Sequence, residues 1–174
     1  MTRAFVGVGS NIEPAVNIER AITLLAREAQ VKKISTVYLT PPVGGPAQPA
    51  YYNCVVEIET DLPYPDLKNR ILRGIEVKLG RVRTEDRYAA RTIDLDLILY
   101  DEVVTTSDDL TLPDPDILHR PFLAIPLREL MPGSTLPGSG LCIDDIASSF
   151  AENMIKPLAK YTKQIRKDIL HDRK

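Results

Sequence analysis

Tryptophan is absent from the 174 residues, and cysteine and histidine occur only twice each. Cys54 and Cys142 have no metal-ligand or redox spacing, which excludes a zinc knuckle or a disulfide framework. They read as small buried apolar residues of a reduced compartment. His119 reads as a surface or helix-capping residue; with no serine or cysteine partner evident, triad-type nucleophilic catalysis has no basis. Long apolar runs are also missing. Met1 to Phe5 holds one basic residue and opens a short apolar stretch broken by glycine, too short for a signal segment or a membrane span. The net charge of −2 gives no global pull toward nucleic acid or membrane. Nor do aromatic residues lie on adjacent central strands, as RNA-binding sheets require. With 44% apolar and 26% charged residues, wholesale disorder is excluded. The expectation is a cytoplasmic monomer forming one domain over 1–174, its basic tail loose from about residue 163.

Apolar periodicity supplies the elements. Ala4 to Val8 reads as a strand, followed by a turn at Gly9-Ser10-Asn11. Pro14 opens a helix carrying Ile18, Ala21, Ile22, Leu25 and Ala29 on one face. Ile34 to Leu39 reads as a second strand. Thr40 to Pro49 holds four prolines and two glycines, so it is a long loop of the kind that is often functional. Asn53 to Glu59 alternates, with Cys54, Val56 and Ile58 on one face. Leu67, Ile71, Leu72, Ile75 and Leu79 make a second amphipathic helix ended by Gly80. Arg81 to Ala90 is a charged loop. Ile93 to Tyr100 is a strand with Ile93, Leu95, Leu97 and Leu99 on one side, and Asp94, Asp96, Ile98 and Tyr100 on the other. The order βαββαβ predicts an α+β fold with a ferredoxin-like core, an antiparallel sheet with helices packed on one face. C-terminal additions follow: a short strand near Val103, a proline-rich loop over 112–115, and helices after Arg120 and Asp144.

Chemistry concentrates at Asp94 and Asp96. Two aspartates at i and i+2 on a strand share a face, and their carboxylates repel unless a cation sits between them. Magnesium suits such a pair, together with water and substrate phosphates. An isolated Asp-x-Asp is a weak signal. Here Arg81, Arg83, Arg87 and Arg91 precede it, rigid donors suited to phosphate. Between Lys68 and Arg91 eight basic residues stand against three acids. Tyr51, Tyr52 and Phe122 could stack on a flat heterocycle, and Asn53 could read its edge with a donor and an acceptor.

Several blocks in order resemble one family: Gly9-Ser10-Asn11, Thr40-Pro41-Pro42-Val43-Gly44, Tyr51-Tyr52-Asn53, Gly80-Arg81-Val82-Arg83, Arg91-Thr92-Ile93-Asp94-Leu95-Asp96 and Arg120-Pro121-Phe122. From about Ala4 to Leu130 the chain resembles the 6-hydroxymethyl-7,8-dihydropterin pyrophosphokinases of folate biosynthesis. The resemblance implies transfer of pyrophosphate from ATP to a reduced pterin, releasing AMP. It implies two magnesium ions on Asp94 and Asp96, with Arg81 and Arg91 at the phosphates. Glu76, Arg83, Leu97, Leu110, Thr111 and Arg120 would serve ATP. Thr40, Val43, Tyr51, Asn53, Tyr88 and Phe122 would serve the pterin.

Three positions depart from the family pattern. Asp114, in Pro113-Asp114-Pro115, stands where many members place a phosphate-contacting histidine. Either it turns away, or His119 or another donor substitutes, or turnover falls. Thr84 occupies a position that is basic in some members, and Tyr88 one that is often tryptophan. Two rivals remain open: a phosphotransferase or nucleotidyltransferase with the same metal logic, and a non-catalytic binding module on the same sheet.

Overall fold

The computed structural model describes residues 1–43, 48–86 and 88–171. Arg87 and residues 44–47 of the proline-rich loop, both part of the sequence expectations, lie outside the described residues. Along the chain come β1 (Thr2–Ser10), α1 (Pro14–Glu28), β2 (Gln30–Ile34), β3 (Tyr38–Thr40) and β4 (Tyr51–Thr60). Helix α2 covers 64–78, with a wider, π-type stretch at Leu67–Leu72 between α-helical ends. Then follow β5 (Asp94–Tyr100), β6 (Thr105–Thr106), β7 (Thr111–Leu112), α3 (Pro121–Leu130), α4 (Ile143–Ser148), β8 (Lys156–Pro157) and α5, which runs Ala159–Arg166 and continues through Lys167–His171.

The main sheet is antiparallel. Strand β1 lies between β5 and β4, and both β2 and β3 pair with the far edge of β4. This is the ferredoxin-like order, with the expected second strand broken in two. Ile34 faces Val56 while Tyr38 faces Asn53, so the outer chain carries one residue more than β4 across the gap. Ser35 fills the break: its N–H donates to the Val55 carbonyl and its hydroxyl accepts from the Val55 N–H, each at 2.9 Å. Polar groups freed by the irregularity are thereby satisfied.

Side-chain alternation sorts the two sheet faces. On one, Val6, Val8, Cys54, Val56, Ile58, Leu95 and Leu97 meet α1, α2 and α5. On the other, Phe5, Val55, Ile98 and Leu99 meet Leu123 and Leu127 of α3 and Ile143 of α4. The C-terminal additions thus cover the face that a bare ferredoxin-like core leaves open. The regular alternation expected from Ile93 to Tyr100 holds only as far as Ile98. Phe5 pairs with Leu99 but Val6 with Leu97, so a bulge at Ile98 puts Leu99 on the α3 face and returns Tyr100 to the other.

The basic tail is not loose up to His171. Ile165 and Ile169 are buried in the core, and the Arg166 Nε donates to the Ile34 carbonyl at 2.9 Å. Its charges lie on one helical stripe and its two isoleucines on another; charge content alone hid that pattern. Among the described residues no helix is long and apolar enough to cross a membrane.

Candidate active site

The site is organised by two rows across the sheet. Gly9 of β1 pairs with Asp94 on one side and Asn53 on the other; Gly7 pairs with Asp96 and Val55. Residues paired across strands share a face, so two carboxylates and an amide look out over a floor of bare backbone. Gly9 therefore belongs to the strand and not to the expected turn. A Cβ on Gly9 would lie 2.5 Å from Asn53 Oδ1, and one on Gly7 would lie 3.1 Å from a Leu123 methyl. Both glycines are needed for close approach, Gly9 by the Asn53 amide and Gly7 by α3.

A cavity of about 410 Å³ rises from this floor. Of the residues expected to serve the pterin, Thr40, Val43, Tyr51, Asn53, Tyr88 and Phe122 all line it, as do Arg91, Asp94, Asp96 and Arg120. Asn53 Nδ2 donates to Thr40 Oγ1 at 2.7 Å, which fixes which end of the amide faces Gly9.

The two aspartates differ in their surroundings. Asp94 Oδ1 accepts from Arg81 Nη1 at 2.5 Å, and Oδ2 from Arg91 Nη1 at 2.6 Å. The Asp96 carboxylate makes no hydrogen bond or ion pair among the described residues. Asp96 is exposed to the cavity, with the walls of the cleft around it. Burial, then the charge of Asp94, then that of Asp114 push its carboxyl up to about 7. Asp96, uncompensated beside the arginine-bound Asp94, is a carboxylate suited to a divalent cation. Among the described residues no group of three His, Cys, Asp or Glu could hold a metal unaided. A cation here would need further oxygens from water and ligand, as magnesium uses beside phosphates.

Arg81, expected at the phosphates, does not line the cavity but holds the Asp94 carboxylate that does. Gly80 ends α2 at φ +75°; its N–H donates to the Val77 carbonyl and that of Arg81 to the Glu76 carbonyl, each at 3.0 Å. This Schellman turn folds Arg81 back over the last helical turn. There it bridges Glu76 and Asp94 and is itself only 9% exposed. Glu76, expected near the nucleotide, is buried and lines neither cavity described here. Its carboxylate accepts from Arg73, Arg81, Arg83 and the Leu95 N–H at 2.9 Å. A buried carboxylate needs that many donors, and in meeting the need it holds α2, the Arg81 loop and β5 together. Arg83 likewise pairs with Glu76 and does not line the cavity.

The buried Asn11, unassigned by sequence beyond its place in a motif, joins the two loops. Its Oδ1 accepts from the Arg91 N–H at 2.8 Å and its Nδ2 donates to Gln48 Oε1 at 3.1 Å. Gln48 in turn donates to the Tyr88 carbonyl.

A second cavity of about 270 Å³ shares Asp96 and Asp114 with the first. Leu97, Leu110 and Thr111, expected to serve ATP, line it, as do Leu95, Ser107, Lys68 and Arg73. Only the basic run from Lys68 hinted at the last two. Asp114 does not turn away: it lines both cavities while its Oδ1 caps the turn Pro115–Leu118, accepting from the Asp116 N–H at 2.9 Å. His119, exposed at the end of that turn, lines neither.

With this geometry established, comparison with known proteins is informative. Residues 5–132 match the family model of 7,8-dihydro-6-hydroxymethylpterin-pyrophosphokinase (HPPK). The chain is 37% identical to the 2-amino-4-hydroxy-6-hydroxymethyldihydropteridine pyrophosphokinase of Synechocystis sp., over 90% of this chain and 80% of the relative. It is 34% identical to that of Haemophilus influenzae, over 90% and 98%. The fold is similar to that of the wild-type HPPK-DHPS of Plasmodium falciparum with pteroate, with a TM-score of 0.70 at 12% identity. That match takes in 88% of this chain, which spans less than half (43%) of the longer one.

Proposed function

The chain belongs to the 7,8-dihydro-6-hydroxymethylpterin-pyrophosphokinase family, and from that premise we propose that its two joined cavities bring ATP and the reduced pterin together over Asp94 and Asp96. Its activity is the pyrophosphokinase step of folate biosynthesis: pyrophosphate passes from ATP to 6-hydroxymethyl-7,8-dihydropterin, leaving AMP. The observation that carries the assignment of parts is the row Asp94–Gly9–Asn53, which sets a phosphate-side carboxylate and a ring-reading amide one strand apart on each side of a bare glycine.

In this reading Asn53, oriented by Thr40, reads the edge of the pterin, while Tyr51 and Phe122 flank its faces. The nucleotide occupies the second cavity, its base against Leu97, Leu110 and Thr111 and its phosphates directed toward Asp96. Asp94 and Asp96 would hold magnesium, which when bound neutralises charge on the phosphates as it develops. Arg91 and Arg120, on the cavity wall, donate to phosphate oxygens. Arg81 acts one step back by fixing the Asp94 carboxylate from below. The pterin hydroxyl is itself the nucleophile, so positioning and charge neutralisation do most of the work and no covalent enzyme intermediate is needed. The Asn11–Gln48–Tyr88 chain couples the loops that close over the site and exclude water. The working unit is a cytoplasmic monomer.

The test is an assay with ATP, magnesium and the reduced pterin, following AMP. Stoichiometric AMP and pterin diphosphate support the reading. Release of ADP or inorganic pyrophosphate would favour a phosphotransferase or nucleotidyltransferase, and nucleotide binding indifferent to magnesium would refute the metal assignment.

A further inference from the structure

The β6–β7 side of the second cavity is acidic. Asp108 and Asp109 stand in the hairpin loop and Asp114 just beyond it. A phosphate chain entering here meets these carboxylates, and the repulsion must be offset by cations within reach. Helix α2 forms the opposite wall and supplies two, Lys68 and Arg73. Five residues apart, they would diverge around an ordinary α-helix. The wide stretch Leu67–Leu72 changes this: the Arg73 N–H donates to the Lys68 carbonyl, a five-residue hydrogen bond that brings both side chains to the same cavity. Arg73 spends Nη1 on Glu76 at 2.9 Å. Lys68 is half-buried, and its ammonium makes no hydrogen bond or ion pair among the described residues. Burial first, then Arg73, lower its pKa against the opposing pull of Asp109 and Asp96.

We propose that Lys68, aligned with Arg73 by the wide turn of α2, binds the phosphate chain of the nucleotide and supplies the positive charge that the acidic hairpin withholds. The proposal rests on the second cavity being the nucleotide site. It gives the π-type stretch a purpose, since a regular helix would turn one of the two cations away. It also identifies a donor that compensates for Asp114.

Two variants separate the claims. Lys68→Met keeps the aliphatic stem and removes the charge; Leu110→Trp fills the cavity. Binding of a non-hydrolysable ATP analogue and of pterin is measured by calorimetry at several salt concentrations, with melting temperature checking the fold. In K68M the analogue should bind on the order of tenfold more weakly, as expected for one charge-assisted contact. Its salt dependence should fall, pterin affinity should stay unchanged, and K68R should restore the analogue. If L110W loses the analogue while K68M binds it like wild type, the role of Lys68 is overturned and the cavity assignment stands. If L110W also binds like wild type, the cavity is not the nucleotide site and both readings fall.

Discussion

Gly9 shows how one missing side chain decides what the site can hold. The Asn53 amide oxygen lies 2.5 Å from where a Cβ at position 9 would stand, and as the end of a side chain it yields when pushed. Gly9→Ala should therefore fold but displace the amide, raising KM for the pterin on the order of tenfold, the worth of one good hydrogen bond. Asn53→Ala should do the same, and KM for ATP should stay put in both. Asp96 carries a different burden. Asp96→Ala should lower kcat by at least on the order of a hundredfold, as expected when charge stabilisation at the reacting phosphates is lost. Pterin affinity should barely change, and unimpaired turnover would sink the metal role. The raised pKa of Asp96 has a stability consequence of definite sign. Its folded value of about 7 lies above the ordinary 3.8, so the fold favours the protonated form. That contribution is complete below about pH 4 and is lost as pH rises to about 7. Melting temperatures of the metal-free protein across this window should show an Asp96-dependent fall that is absent in Asp96→Asn. Magnesium should offset the fall near pH 7 and do little at pH 5.

At the scale of elements, ends and irregularities matter more than the regular stretches. The Schellman turn after α2 fixes the direction of Arg81, and the wide turn within α2 sets the direction of Lys68. The turn Pro115–Leu118 is capped by Asp114, which gives an acid on the wall of both cavities a structural role. Capping and charge are separable there. Asp114→Asn keeps a good capping residue and removes the repulsion, so ATP affinity should rise with melting temperature unchanged. Asp114→His should hold or raise activity while losing about 1 kcal/mol of stability with the cap. A large loss of turnover in both variants, measured by AMP release, would show that the carboxylate itself contributes.

On the scale of the whole molecule, the C-terminal third completes the fold. Helix α3 closes the catalytic face and brings Phe122 and Leu123 to the cavity, while α5 seals the opposite face. The hydroxyl of Tyr161 donates to the Ala15 carbonyl, and Thr162 accepts from the Val37 N–H in the gap before β3. Ile165→Ala should thus cost about 2–5 kcal/mol, the usual range for truncating a fully buried isoleucine. The denaturant midpoint measures it, and a change within a few tenths of a kcal/mol would mean the tail only lies on the surface.

The sequence by itself determined the alternation of strands, the two amphipathic helices of the core, the shared face of Asp94 and Asp96, and the blocks from Thr40 to Phe122 whose residues line the first cavity. Each of these follows from local periodicity or from a contiguous motif. Only the tertiary structure decided where side chains meet across long separations. It placed Glu76 and Arg81 under the site because a buried carboxylate must gather donors wherever they lie in the chain. It broke the second strand at Ser35 and slipped the fifth at Ile98, because strand register depends on a partner that the strand's own residues do not encode. The Asp-x-Asp run was legible as a pair of carboxylates. That one is neutralised by two arginines, while the other stands open above a glycine floor, is a property of the folded sheet.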